Sequence, residues 1–589
     1  MSFSSLIFVA IFLPVFLLVY YLIPGTRARN VALLLFSMAF YAFGGVSYLG
    51  LLLVMTLFTT AGAGLIATRR HKAMEAMPDE EEGDEEFGDP EAIRFYTKNI
   101  RMAKFFLGIT IAFLLAVLAV FKYSGFAAEN MALLFGTSPE IPKLILPLGI
   151  SFYVFKLISY VSDVYMGRIE PADYYHVLLY TVMFHHVTQG PIVRYGEIAE
   201  ELENRHAGTE DIADGAFRFS LGLAKKTLLA DHCGNLAETL LPIGFQPGEV
   251  TVLSAYLGSL FFMLQLYLDF SAYTDMALGL GKMIGFHFPE NFNYPYMATS
   301  VRDFWRRWHI SLSAFFRDYV YIPMGGSRVG FFRLTLNLFV VWALTGLWHG
   351  SSWNFVLWGL YYFVFLSIEN MIRSFRKAQA EKKAEEGEET AGGSSRIPAV
   401  LTVFLGHIYA LIVVFFGWVL FRFQDFKTLC EALRLMSFQT KAAFSGTSEI
   451  LLLQNNIFFV ILALLAVTPF AHFLGQQCLE MVNKAYAAEE RNRERLAAAQ
   501  NEEQQDQERQ ALVRKHLGAE GEQDAEEENA AFQRFAGRLE KRIALLKKKR
   551  ERVAGCYYVI RTMLMLLFLV LALVSMVGAS YTPFLYNQF

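Results

Sequence analysis

The sequence predicts an all-α polytopic membrane protein with roughly ten to thirteen transmembrane or re-entrant helices. Three observations carry this. Of 589 residues, 54% are apolar and 15% aromatic, including 55 Phe. Runs approaching the ~20 apolar residues that span a ~30 Å hydrocarbon core recur near 5–23, 31–67, 105–122, 143–162, 251–270, 333–348, 353–371, 399–421, 450–474 and 556–579. Charged residues are only 18% and crowd into three stretches, against roughly 25% spread through a soluble domain. The near balance of 52 Lys plus Arg against 55 Asp plus Glu argues against a nucleic-acid partner. Cys233, Cys430, Cys478 and Cys556 lie far apart, with no spacing for a disulfide framework or a metal site.

Residues 1–68 read as N-terminal transmembrane helices. The run Ser5 to Ile23 lacks a basic leader and a small-residue cleavage site and is followed by Arg27 and Arg29, so it should stay as a helix with the N-terminus outside. Residues 69–104 form a charged insertion containing the acidic tract Asp79–Glu86. The core, 105–372, includes apolar segments around 176–190, 216–230, 272–286 and 302–322 interrupted by His, Lys, Gly or Pro, which suit interior or re-entrant helices. A second charged loop, 373–398, precedes transmembrane helices in 399–480. The third insertion, 481–552, is rich in Ala, Glu, Gln, Lys and Arg and reads as exposed helix, either a hairpin or a solvated spacer. Residues 553–589 supply a last helix and a tail. Basic residues abut the membrane runs at Arg69, Arg70 and Lys72, at Arg373, Arg376 and Lys377, and at Lys547 to Arg552. The positive-inside bias therefore places all three insertions in the cytoplasm and the tail outside.

Nucleotide and metal signatures are lacking. Gly279-Leu280-Gly281-Lys282 has neither the spacing nor the following Ser or Thr of a phosphate loop, and no His-Glu-x-x-His occurs. Polar chemistry concentrates instead between Pro289 and Gly350, in segments holding Asn291 and Asn293, then Asp303 to Asp318, then Trp348-His349-Gly350. As a continuous helix, residues 302–319 would align Arg302, Arg306, His309, Ser313 and Arg317 on one stripe and Trp305, Trp308, Leu312, Phe315 and Tyr319 on another. So many cations among apolar runs need a water-filled cleft, an anionic ligand or acidic partners such as Asp303 and Asp318. The alternative is an interfacial helix whose arginines snorkel into headgroups.

His349 closes the run Leu334 to Trp348, whose only polar side chains are Thr335, Asn337 and Thr345. An ionisable group in such a setting is a functional candidate, because an uncharged imidazole can take a proton from a hydroxyl as a general base. The alternative is a histidine merely hydrogen-bonded within a bundle. His185-His186 precedes Gly190-Pro191, but neighbouring helical positions point apart, which disfavours a shared site.

These residues resemble the membrane-bound O-acyltransferase superfamily, and within it the alginate O-acetyltransferase branch. The matching blocks are Leu146 to Tyr153, Ser159 to Tyr165, Gln189 to Tyr195, Leu266 to Ala277, Trp305 to Gly326, Leu347 to Gly350 and the ending Pro583 to Phe589. The resemblance implies a many-helix fold around a central channel or pair of funnels, with His349 as the catalytic residue and His309 as the other family hallmark. It implies transfer of an acetyl group from acetyl-CoA or an acyl-carrier thioester, through the bacterial plasma membrane, to a hydroxyl of an extracytoplasmic polysaccharide or cell-wall polymer. A second extracytoplasmic acyltransferase would often assist. No permanent cofactor or metal is implied; membrane lipids, the donor and the polymer are the expected partners. The long insertions exceed the compact family pattern.

The physics of the problem fits that architecture, since neither a polyanionic carrier nor a polar polymer crosses hydrocarbon unaided. The reacting atoms should meet inside the protein, at His349 midway through the bilayer. Arg302, Arg306, Arg307 or Arg317 would hold the donor's charged head, and Ser313, Trp305, Trp348, Asn291, Asn293 and Asp269 complete the candidate donor and substrate site. The rival readings are D-alanyl transfer to teichoic acid, a transporter without chemistry, and a scaffold for a synthase complex.

Overall fold

The computed structural model describes residues 2–76, 90–136, 144–385, 399–517, 522–578 and 584–585. The acidic tract Asp79–Glu86, the stretch 386–398 of the second insertion, 518–521 of the third, and Pro583 and Tyr586 to Phe589 lie outside them. Among the described residues every regular element is helical. In chain order the α-helices are α1 (Leu13–Leu22), α2 (Thr26–Ala42), α3 (Val46–Met74), α4 (Pro90–Phe135), α5 (Ile150–Met166), α6 (Tyr174–Val182), α7 (Tyr195–Glu203), α8 (Thr209–Ala224), α9 (Asp231–Leu240) and α10 (Val252–Met283). They continue as α11 (Val301–Arg307), α12 (Ile310–Phe316), α13 (Phe331–His349), α14 (Trp353–Glu385), α15 (Ala399–Arg422), α16 (Phe426–Met436), α17 (Thr447–Asn455), α18 (Ile457–Ala466), α19 (Phe470–Leu517) and α20 (Glu522–Gly578).

Seven described helices, α3, α4, α10, α13, α14, α15 and α20, are long and apolar enough to cross a membrane, and the pair α17 and α18, bent by 67°, makes an eighth if it is one broken span. The protein is a multi-pass membrane protein. Local chemistry explains where the elements depart from the apolar runs. Run 31–67 divides at Gly44-Gly45, where Gly45 takes φ +134°, into α2 and α3. The segments 251–270 and 272–286 instead join as the single 32-residue helix α10.

Small residues let the helices approach. A Cβ on Gly215 of α8 would lie 2.5 Å from the Gly279 carbonyl oxygen of α10, and one on Gly222 would lie 2.7 Å from that of Ala272. Such backbone contact maximises dispersion between helices that lack a hydrophobic drive in lipid. α13 and α14 repeat the device, since a Cβ on Gly359 would sit 2.4 Å from the Trp342 oxygen. Around these seams lie two aromatic cores. One contains most of the apolar side chains of α5; the other gathers Trp305, Trp308, Trp342, Trp358, Tyr362 and Trp418.

The chain divides into two units, residues 1–467 with 568–589, and residues 468–567. Within the second unit α19 and α20 pair: buried Glu489 accepts from Arg493 of its own helix at 2.7 Å and forms an ion pair with Arg550 of α20 at 3.0 Å. Arg550 also lies over the Tyr486 ring at 5.0 Å.

Gly215→Val should cost about 1–3 kcal/mol by overpacking the α8–α10 seam, read as a lower melting temperature in detergent. Gly108→Val, where a Cβ meets open space, is the control and should melt close to the wild type. Equal melting of the two variants would contradict the close-approach account.

Candidate active site

His349 is the last residue of α13 and is buried. Its Nδ1 lies 2.7 Å from the carbonyl oxygen of Thr345. A carbonyl only accepts, so Nδ1 carries the hydrogen and, in the uncharged ring, Nε2 carries the lone pair. The ring is held by Trp348 at 4.9 Å, Trp358 of α14 at 4.7 Å and Phe421 of α15 at 5.5 Å between centroids. A Cβ on Gly346 would lie 2.4 Å from the Phe355 oxygen, so a glycine one turn before His349 brings α14 against it.

A helix end leaves carbonyl groups without intrahelical partners, and α4 supplies them here. Lys122 Nζ donates to the Trp348 carbonyl and Tyr123 Oη donates to that of Leu347 at 2.6 Å. The ammonium also sits where the helix dipole favours a cation. His349 thus stands on a backbone terminus satisfied from a second helix.

One cavity, of about 120 Å³, has His349, Trp348, Lys122, Gly149, Ser151, Phe152 and Thr188 in its wall. It is far smaller than the roughly 300–1,000 Å³ of sites enclosing a whole drug-sized ligand. A two-carbon acyl group and an attacking hydroxyl fit that scale; an entire nucleotide carrier does not.

His309 is also buried and contacts the same indole as His349, its ring 5.7 Å from Trp348 and 4.9 Å from Phe270. Its backbone is left-handed, φ +44°, a conformation that costs a non-glycine residue of order 1–3 kcal/mol. Asn291 compensates. The backbone N–H of Ser311 donates to Asn291 Oδ1 at 3.1 Å, the Ser311 hydroxyl at 2.9 Å, and His309 Nδ1 at 3.1 Å. The N–H donor identifies that atom as the amide oxygen, so His309 Nδ1 also bears its hydrogen.

The stripe expected over 302–319 does not form. α11 stops at Arg307 and α12 begins at Ile310, because the ladder's bonds are diverted: Ile310 N–H donates to the Asn291 carbonyl at 3.0 Å, and the Arg307 carbonyl accepts from Asn293 N–H at 2.9 Å. The arginines disperse accordingly. Arg302 bonds Asn370, and its own backbone N–H and that of Val301 donate to Glu369 of α14. Arg307 pairs with Asp303 at 3.0 Å, Arg317 with Asp318 at 2.6 Å, and Arg306 is exposed. Asp318 is shared with Arg194 at 2.6 Å; burial opposes its charge, but hydrogen bonds from Arg317 and Arg194 hold its carboxyl below the usual carboxylate range.

Other candidates have structural partners. The Ser313 hydroxyl donates to the Trp305 carbonyl at 3.1 Å, and Trp305 packs against Trp342, Trp358 and Tyr362. Asn293 is exposed, and Asp269 forms a buried ion pair with Lys226 at 2.7 Å. His186 binds the buried Lys156 ammonium nitrogen at 2.9 Å through Nδ1, tying the segment after α6 to α5. Lys122, Thr188 and Phe152 were not singled out from the sequence. Lys122 carried a signal, a cation ending an apolar run; Phe152 lay inside the Leu146 to Tyr153 block without being named a site residue, and Thr188 carried no signal.

The model of the MBOAT, membrane-bound O-acyltransferase family, matches residues 167–386. The chain is similar to a probable alginate O-acetylase of Azotobacter vinelandii, 36% identical over 436 residues that cover 72% of this chain and 76% of that one. It is similar to a peptidoglycan O-acetyltransferase of Helicobacter pylori, 32% identical over 62% of this chain and 70% of that one. A teichoic acid D-alanyltransferase of Bacillus subtilis is 30% identical over 40% of this chain and 62% of its own. With two buried histidines contacting one indole beside a small cavity, and with 36% identity over 72% of the chain, the chain belongs to the membrane-bound O-acyltransferase family and is an O-acyltransferase.

Proposed function

We propose that the protein moves an acetyl group from a cytoplasmic thioester donor to a hydroxyl of an extracytoplasmic polysaccharide, with His349 as general base. One observation carries this: the Thr345 carbonyl fixes the His349 tautomer with Nδ1 protonated, and His349 stands in the wall of a cavity of acyl size. The names of the relatives, an alginate O-acetylase and a peptidoglycan O-acetyltransferase, support a polymer acceptor.

Helix lengths support a direction of transfer. We take the membrane to be a bacterial plasma membrane; with the basic flanks cytoplasmic, the insertions lie inside and both termini outside. Lys122 then lies roughly 27 Å along α4 beyond Lys104, and Trp358 roughly 22 Å along α14 before Arg373, at 1.5 Å per residue. His349 touches both neighbourhoods, so it stands nearer the extracytoplasmic face than the midplane the sequence suggests. The Arg302 site at Glu369 and Asn370 is roughly 17 Å back along α14 from Trp358. A donor whose charged head stays among Arg302, Arg306 and Arg307 would extend its thioester arm over that distance, past His309 and Trp348.

In the reaction His349 Nε2 takes the acceptor's hydroxyl proton as its oxygen attacks the thioester carbonyl carbon. The new C–O bond forms, the C–S bond breaks, and the departing thiolate recovers the proton from the imidazolium. His309 positions Trp348 between the donor path and the cavity. A second extracytoplasmic acyltransferase could carry the acetyl group onward to the polymer. The D-alanyltransferase relative makes D-alanine the competing acyl group.

His349→Ala should lower labelled acetate on the isolated polymer by about 10²–10⁴-fold, with the protein present at wild-type amount in the membrane. Acetylation within about two-fold of wild type would remove His349 from the chemistry. D-alanine on the polymer instead of acetate would select the rival donor. Arg306→Ala, at an exposed guanidinium, should raise the donor KM about ten-fold and leave kcat nearly unchanged in proteoliposomes; an unchanged KM with lower kcat would contradict its role at the donor head.

A further inference from the structure

Beside the histidines, α10 holds a buried charge centre that the acyl-transfer step does not use. Lys226 and Asp269 are each about 1% exposed, with 2.7 Å between Nζ and Oδ1. Lys226 also reaches Asp231 at 2.7 Å. Removing two charges from lipid-facing water is expensive, so such a pair needs further hydrogen bonds to its remaining atoms. The segment after α20 supplies them. The backbone N–H of Leu585 donates to Asp269 Oδ2 at 2.8 Å. Phe584 is fully buried, with Lys226 Nζ 4.7 Å from its ring centroid, where a desolvated ammonium is attracted to the ring face.

The seat is coupled to the cavity through one side chain. Phe584 stands edge-on to Tyr273 at 5.1 Å. The Tyr273 hydroxyl pairs with Thr188 Oγ1 at 2.6 Å, and Thr188 shares the cavity wall with His349. Tyr273 is held on its other side by the stacked ring of Phe3 at 4.8 Å. Asp269 itself neighbours Phe270, whose ring meets His309. All these groups belong to the same unit of the chain.

We propose that the Lys226–Asp269 pair is a docking socket for residues 584–585, and that the seated segment is a positioning element for acyl transfer. It presses Tyr273 onto Thr188 and so holds the cavity wall opposite the reacting imidazole. Asp269, expected from the sequence to contact substrate or donor, takes this indirect role, because both of its oxygens are engaged by Lys226 and Leu585. The inference rests on the proposed acyl-transfer reading for its functional half only.

Two measurements on the full chain in native membranes test it. Leu585→Pro deletes the N–H that Asp269 accepts, while Leu585→Ala keeps it. Leu585→Pro should lower polymer acetylation about ten-fold or more, and Leu585→Ala should recover it to within about three-fold of wild type. Both proteins should melt alike in detergent. Equal acetylation in the two variants overturns the positioning role. Docking is read without any chemistry by placing Leu585→Cys in a chain whose Cys430, Cys478 and Cys556 are serine. A membrane-impermeant maleimide should label that thiol slowly, and about ten-fold faster once Phe584→Ala is added. Fast labelling with Phe584 in place overturns the socket. Full acetylation in His349→Ala would refute the proposed reaction while leaving the labelling result to stand or fall alone.

Discussion

The hydrogen bond from His349 Nδ1 to the Thr345 carbonyl is the constraint on which the site depends. It makes the imidazole's reactive edge a consequence of helix geometry, since the acceptor is the carbonyl one turn earlier on the same helix. A side-chain partner would have to be positioned by its own packing. Here the backbone does it, and α4 completes the arrangement by taking the carbonyls of Leu347 and Trp348 that the helix end leaves over. Trp358 and Phe421 then fix the ring's plane from two further helices. His349 stands at a meeting point of four helices, α4, α13, α14 and α15.

The second histidine is held by the opposite strategy. His309 sits where regular structure fails, in a left-handed residue between two seven-residue helices. The break is specified by Asn291, whose backbone carbonyl and side-chain oxygen absorb the N–H groups of Ile310 and Ser311. Irregular backbone at membrane depth is tolerated only when protein surrounds it and satisfies its polar groups, and the aromatic core around Trp308 meets that condition. One consequence is the dispersal of the arginines. Arg302 ends up at Asn370 of α14, Arg307 on Asp303 and Arg317 on Asp318, and none of the three lines the small cavity. In the proposed function, that separation would suit a donor charged at one end and reactive at the other.

Much of this was legible in the sequence, for physical reasons. Apolar length and clustered charge report membrane helices directly, and the isolated polarity of His349 in its run marked it without any structure. The blocks carrying the family resemblance include most residues that line the cavity, Leu146 to Phe152, Trp348 and His349, but not Lys122 or Thr188. What the sequence hid was geometry created between distant segments. Periodicity aligned Arg302, His309 and Arg317 on one helical face, but a side chain eighteen residues upstream of His309 breaks that helix, and no local rule sees Asn291. Thr188 and Phe152 are ordinary residues until folding puts them beside His349. Asp269 was picked out for its place in a motif, yet its role comes from Lys226 and Leu585, 43 and 316 residues away.

The measurement that bears most directly on this account is a density map of the full chain bound to a non-hydrolysable thioester donor analogue. The account predicts the analogue's charged head among Arg302, Arg306 and Arg307, and its carbonyl carbon in the cavity at His349, with Nε2 facing the space where an acceptor oxygen would approach within roughly 2.6–3.2 Å. An arm that ends short of Trp348, or one that enters with His349 turned so that Nε2 points into the Trp358 and Phe421 packing, would contradict it.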